Sequence, residues 1–272
     1  MSPPVAVVTG ANRGIGRAIA VAFAAAGYAV LASARDPASL TDTVAEAEKA
    51  AAEKAAAEKA AAATGEPGGG TVVAAAGDVQ DEASMAALAA AAADLGPVHA
   101  VVANAGVAGP TAPLHEITLA QWRDTIATDL DGVFLTFRAF VPGLIARRSG
   151  SLIAISSMTG KRPLHGRTPY AAAKMGVIGL VRTLATELGP YGVRVNAVSP
   201  GYVAGPRMDM VVRNQAEVRG VPEEQVRAEV SSGSPLGQLV SAEDVAAACI
   251  YLASAPAITG EDLNVTAGVV MY

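Results

Sequence analysis

Cysteine is nearly absent: the 272-residue chain has one, Cys249, so no disulfide can form within it. Histidine is almost as scarce, and His99, His115 and His165 stand at no spacing that would gather a metal ion with that thiol. Charged residues make up 17% of the chain and sum to a net charge of −5. No lysine and arginine block is dense enough to track a phosphate backbone, which argues against nucleic acid as a partner. The opening MSPPVAVVTG lacks a basic segment leading into an apolar one, so it does not read as an export signal. Long uncharged runs are also lacking. Ala18 to Ala34 carries no charge, but Gly27 divides it, and it reads as a buried helix feeding a buried strand rather than a membrane span. These absences predict a soluble protein of a reducing compartment, the cytoplasm.

What is present is 51% hydrophobic, enough for one large core and a single α/β domain over residues 1–272. Short β-branched or apolar runs alternate with longer helical stretches, the pattern of a doubly wound parallel sheet covered on both faces. Seven strands are predicted: Val5 to Thr9, Ala29 to Ser33, Thr71 to Ala75, Ala100 to Ala103, Ser151 to Ser156, Arg194 to Ser199 and Leu263 to Val265. Helices are expected near Gly14 to Ala26, Pro37 to Ala63, Glu82 to Leu95, Leu119 to Arg147, Pro169 to Leu188 and Ala242 to Ala253. Within the second, Glu48 to Ala62 repeats EKAAA, so residues 45–63 read as a helical extension overhanging the sheet, stopped by the glycine-rich turn from Thr64 to Gly70. Residues 202–237, broken by Pro206, Pro222 and Pro235, read as a helical excursion placed to cover a site as a lid.

The first strand ends in Thr9-Gly10-Ala11-Asn12-Arg13-Gly14-Ile15-Gly16, directly before an apolar-periodic helix. Glycines let a backbone turn sharply and approach a pyrophosphate, while the free N–H groups at a helix start attract its charge. A dinucleotide is implied. After the second strand comes Ser33-Ala34-Arg35-Asp36, where an acidic residue would favour the ribose hydroxyls of NAD and an arginine the 2′-phosphate of NADP. Arg35, aided by Arg13, favours NADP(H); the opposite reading gives Asp36 the NAD ribose. Further on stands Tyr170-Ala-Ala-Ala-Lys174, an i, i+4 pair that a helix places on one face. A lysine so placed favours the charge of a phenolate, which suits tyrosine to exchange a proton with an alkoxide as hydride reaches a carbonyl carbon.

With these motifs the chain resembles the short-chain dehydrogenase/reductase family over nearly its whole length. The family's TGxxxGxG loop matches Thr9 to Gly16, its NAG motif Asn104-Ala105-Gly106, its adenine-contacting pair Asp78-Val79, and its PG turn Pro200-Gly201. Ser157 stands before Tyr170 at the family's interval. The resemblance implies that Ser157 polarises the substrate oxygen, Tyr170 is the acid/base, and Lys174 binds the nicotinamide ribose. It also places Gly10, Asn12, Arg13, Gly14, Ile15, Gly16, Arg35, Asp78, Val79, the NAG motif, Pro200, Gly201 and Val203 along the cofactor. A homotetramer follows by the same resemblance, with the chain end near a neighbouring subunit.

Two positions depart from the family pattern. Asp129 stands where an asparagine is usual in the proton relay to lysine; its carboxylate would partly cancel the charge of Lys174 and move the optimum for oxidation to higher pH. Gly205 replaces a threonine that would hold the nicotinamide carboxamide, which predicts a lid tethered less tightly to the cofactor. Lys161, Arg162, His165 and Arg167 form a basic loop that either attracts an anionic substrate or is simply solvated. Tyr202, Met208, Met210 and Leu164 are candidate apolar lining for the substrate, or ordinary packing. The expected function is hydride transfer between NADP(H), or NAD(H), and a small ketone or secondary alcohol. The alternatives are a ketoreductase on carrier-bound acyl chains and a non-catalytic cofactor-binding protein.

Overall fold

Alanine and valine dominate the apolar runs, and because few polar residues interrupt them, both faces of each strand can be covered. The computed structural model describes residues 3–61 and 70–272. In chain order the elements are β1 (Val5–Thr9), α1 (Gly14–Ala25), β2 (Ala29–Ala34), α2 (Thr41–Ala61), β3 (Val72–Ala76), α3 (Glu82–Leu95), β4 (Val98–Ala103), α4 (Leu119–Ile126), α5 (Gly132–Arg147), β5 (Gly150–Ile155), α6 (Thr168–Leu188), β6 (Val193–Pro200), α7 (Pro206–Arg219), α8 (Glu223–Ser232), α9 (Ala242–Ser254) and β7 (Asp262–Val265). The seven strands form one parallel sheet ordered β3-β2-β1-β4-β5-β6-β7. The winding reverses between β1 and β4, which opens a crevice at their carboxyl ends.

The period-two alternation of the strands decides which helix each side chain meets. Ala6, Val8, Val102, Ile153 and Val198 pack with Ile19 and Phe23 of α1 and Leu252 of α9. Val5, Val7, Val101, Leu152 and Val195 pack on the opposite face with Met85 of α3, Phe137 of α5 and Val177 of α6. Truncating a wholly buried side chain such as Phe137 to alanine costs about 3–5 kcal/mol.

Three local expectations need correction. The stretch from Leu119 to Arg147 is two helices joined by a π-helical turn at Ala127–Asp131, a widened turn that carries Thr128 and Asp129 into the interior. The second predicted helix begins as a 3-10 turn at Pro37–Leu40, capped by Asp36, before α2 proper. Nor does the EKAAA region simply overhang: Ala47 and Ala51 are buried against the core, and Arg17 of α1 bonds Asp42 at 3.3 Å and Glu46 at 3.0 Å. Ala62, Ala63 and most of the following turn lie outside the described residues.

The excursion after β6 has its own small core of Met208, Val212, Ala216, Val226 and Val230. Both its ends are fastened to each other by backbone pairing: Ala204 N–H donates to the Val240 carbonyl and Val240 N–H to the Tyr202 carbonyl, each at 2.9 Å. Gly205 has φ +133°, a conformation costly for threonine, so glycine here answers a backbone demand.

Candidate active site

The glycine turn at the end of β1 is built with its carbonyls occupied, and its Ala11 N–H donates to the Ser33 carbonyl at 3.0 Å. Asn104, at the end of β4, donates through Nδ2 to the Thr9 carbonyl at 2.9 Å and the Gly10 carbonyl at 3.1 Å. Thr43 Oγ1 donates to the Ala11 carbonyl at 2.9 Å and Arg17 to the Asn12 carbonyl at 3.0 Å. A β-carbon on Gly16 would collide with the Gly10 carbonyl and the Asn104 amide, and one on Gly10 would lie 2.8 Å from Ala105 Cα. Helix α1 then starts at Gly14 with no side-chain cap and no acidic residue in its first turn. Its unpaired N–H groups and positive dipole end face the crevice, which fits a pyrophosphate between Gly10 and Gly16.

Arg13 and Arg35 are both exposed beside this turn. Asp36 is not free in the same sense, because its Oδ1 accepts from Ala38 N–H at 3.0 Å and caps the 3-10 turn. Asp78 and Val79 follow β3, next to the end of β2. Ser84 fixes the backbone of Asp78 through a 3.0 Å bond, and Val79 is buried against Gly132. The Asn104 side chain is spent on the turn, so its part in holding a cofactor is indirect; Ala105 and Gly106 continue along the crevice floor.

At the end of β5, Ser157 is nearly buried, and its Oγ accepts from Thr159 N–H at 3.1 Å, leaving the hydroxyl proton to donate elsewhere. Tyr170 and Lys174 lie one turn apart on α6. Lys174 is buried, donates to the Ile155 carbonyl at 2.9 Å, and holds its Nζ 5.7 Å from the Tyr170 ring centroid. Asp129, on the π-helical turn, is wholly buried; its Oδ1 accepts from Val107 N–H at 2.7 Å while Oδ2 has no hydrogen-bond partner among the described residues. Burial pushes its carboxyl above the usual range, against the opposing pull of Lys174, the Val107 N–H, Arg207 and Arg167.

The basic loop is not a uniformly solvated patch. Arg162 and His165 are exposed, but Lys161 pairs with Asp262 of β7 at 2.7 Å, with both side chains almost fully buried. Arg167 is 4% exposed, and its guanidinium carbon lies 4.6 Å from the Tyr170 ring centroid. Of the candidate lining residues, Leu164, Tyr202 and Met208 border a cleft of about 130 Å³ between this loop and α7, smaller than the ~300 Å³ lower end of ligand pockets. Met208 belongs to the core of the excursion, and Met210 is exposed.

Beyond β6, Gly201 passes so close to Thr266 that a β-carbon would lie 2.8 Å from its Cα. Val203 lies between the two backbone bonds of the excursion, leaving its own N–H and carbonyl outside that pairing. Arg17 and Thr43, which hold the glycine turn, and Arg207, whose charge acts on both Asp129 and Arg167, were not indicated by any motif. A polar residue near the start of a helix looks like surface until its distant partner is known.

The family model described as Enoyl-(Acyl carrier protein) reductase matches residues 10–270. A ketoacyl reductase of the granaticin polyketide synthase of Streptomyces violaceoruber is 38% identical over 274 residues, 99% of this chain and 94% of that protein. The cis-4-hydroxycyclohexanecarboxylate dehydrogenase of Sinomonas cyclohexanicum is 39% identical over 267 residues, 97% and 95% of the two chains. Among solved structures, actinorhodin polyketide ketoreductase with NADPH superposes with a TM-score of 0.87 at 31% identity, covering 99% of this chain and 98% of that one.

Proposed function

The chain belongs to the short-chain dehydrogenase/reductase family, and on that premise we propose that it moves a hydride between NADP(H) and a small ketone or secondary alcohol through Ser157, Tyr170 and Lys174. The observation that carries this is the buried Lys174 ammonium, anchored on the Ile155 carbonyl 5.7 Å from the Tyr170 ring, with Ser157 two residues beyond the end of β5. The reduced nicotinamide, when bound, supplies the hydride. Ser157, its oxygen already accepting from Thr159, turns its proton toward the substrate oxygen and polarises the carbonyl. Tyr170 gives that oxygen a proton in reduction and takes it back in oxidation. The positive charges of Lys174 and Arg167 beside the ring stabilise the negative charge that the phenol oxygen then bears. Two protons of Lys174 remain for the ribose hydroxyls and for return of a proton from solvent, in a path along which Asp129 lies.

The preference for NADP(H) is supported by the exposed Arg13 and Arg35 and by the use of Asp36 as a cap. The excursion formed by α7 and α8 serves as the lid. Phe134 on α5 and Met175 on α6 are 45% and 50% exposed, which supports burial of these helices in a homotetramer. The single buried cysteine suits the cytoplasm. A carrier-bound acyl substrate is the alternative that the granaticin relative favours; it wants an exposed basic docking surface, and burial of Lys161 and Arg167 removes half of the one expected.

The test is oxidation of NADPH, with NADH in parallel, against cyclic ketones, keto acids and acyl thioesters. Turnover should prefer NADPH and fall about 100-fold or more in Tyr170→Phe. Undiminished turnover in that variant would overturn the mechanism.

A further inference from the structure

The Arg167 guanidinium is buried without the partner that its charge calls for. Its Nε and Nη1 are inaccessible and make no hydrogen bond among the described residues. Its guanidinium lies over the Tyr170 ring, and although Asp129 attracts it through space, no ion pair joins it to a carboxylate among the described residues. A buried cation with unmet donors is costly, and a planar fork of N–H groups is matched best by a carboxylate. Its location adds the second half of the argument. Arg167 immediately precedes α6, three residues before Tyr170, where the loops after β4 and β5 meet: the Ala112 N–H donates to the Gly166 carbonyl at 3.0 Å. Burial holds the guanidinium below the usual arginine range, and the charge of Arg207, on the first turn of α7, acts in the same direction. Two cations therefore bear on one spot beside the acid/base, with one buried carboxylate, Asp129, whose Oδ1 is already engaged by Val107.

We propose that Arg167 binds a carboxylate of the substrate, so that the enzyme acts on keto acids and hydroxy acids rather than on neutral ketones. This rests on the reading of the chain as a carbonyl reductase and specifies its substrate class. The anion meets Nη2, the guanidinium nitrogen that is neither bonded nor sealed from solvent among the described residues, and Arg207 adds attraction from α7. Because Arg167 lies against Tyr170, the carboxylate also orients the substrate relative to the group that exchanges its proton.

Reduction of 4-oxocyclohexanecarboxylate and acetoacetate is compared with that of their methyl esters at saturating NADPH, in the parent, Arg167→Gln and Arg167→Lys. The parent should favour acid over ester by about 30-fold in kcat/KM, the effect of pairing a desolvated charge. Arg167→Gln should raise KM for the acids at least about ten-fold more than for the esters, and Arg167→Lys should restore part of the difference. Equal rates on acids and esters in the parent, or an equal loss on both in Arg167→Gln, would overturn the assignment while leaving the carbonyl-reductase reading standing on the ester rates. If neither acids nor esters react, it is that reading which fails, and calorimetry of cyclohexanecarboxylate with the NADPH complex decides the anion site: binding weakened in Arg167→Gln upholds it, and binding that is absent or indifferent to the substitution overturns it. The comparison within the parent needs no variant to fold; a cooperative thermal transition qualifies the other two.

Discussion

Lys161 stands four residues beyond Ser157, and its ammonium reaches Asp262 at 2.7 Å with side-chain exposures of 10% and 4%. Ser199 donates to the other carboxylate oxygen at 2.6 Å, and Asn264 accepts from the same ammonium, so the turn that carries Ser157 is tied to β6 and β7 through one desolvated pair. Lys161→Met keeps the aliphatic stem and removes the charge, leaving Asp262 buried with a single hydroxyl for company. Breaking a buried pair in this way costs about 3–5 kcal/mol. For a chain of this size that corresponds to a fall in Tm of roughly 5–9 °C. Asp262→Asn strands the ammonium instead and should lose a similar amount. The double variant leaves no orphan charge and should recover to within about 2 kcal/mol of the parent. Urea and thermal unfolding of the four proteins form the cycle. A loss below about 1 kcal/mol in Lys161→Met, or strictly additive losses in the double variant, would refute the view that these groups act as one desolvated unit.

Arg35→Ala and Arg13→Ala should each raise KM for NADPH about ten-fold more than KM for NADH, as loss of a charge-assisted hydrogen bond to the 2′-phosphate requires; equal effects on both cofactors would return the choice to Asp36. Gly16→Ala should weaken NADPH binding at least about ten-fold, because the new methyl group must displace the Gly10 carbonyl or the Asn104 amide; unchanged affinity by fluorescence titration would count against the cradle. Asp129 holds its proton to higher pH in the folded chain than in the unfolded one, so its contribution to stability is present in acid and lost as pH rises through its raised folded value. Asp129→Asn should therefore gain in Tm over the parent with rising pH and show an oxidation optimum at lower pH. Parallel Tm curves and superimposable rate profiles would remove both the buried charge and its effect on Lys174 from the account.

What the sequence reveals is what local chemistry decides. Helix α3 is predicted to the residue because Asp81 caps its first turn by accepting from Ala83 and Ser84, while Gly96, at φ +138°, turns the chain after it. The glycine turn, the NAG motif and the Tyr170–Lys174 interval are short-range patterns as well, and the structure places them together at the carboxyl ends of β1, β4 and β5. The remainder depends on partners far along the chain. Counting charges between Ser157 and Tyr170 gives a basic loop, but Lys161 finds Asp262 and Arg167 finds the Tyr170 ring, so half of the loop is interior. The widened turn at Asp129 contains no proline or glycine, and it joins α4, which packs against α6, to α5, which packs against β4 and β5. Met208 and Met210 are indistinguishable in a composition, yet two positions on a helix separate core from solvent.

The backbone pairing between residues 202–204 and 240 gives the excursion a common doorway for entry and exit. Main-chain bonds are indifferent to side-chain identity, and the segment beyond them, α7 and α8, folds upon its own five-residue core. Segment 206–232 is thus a separately packed unit that still reports to the site through two residues, Arg207, whose charge acts on Asp129 and Arg167, and Gln215, whose amide donates to the His165 carbonyl at 2.7 Å.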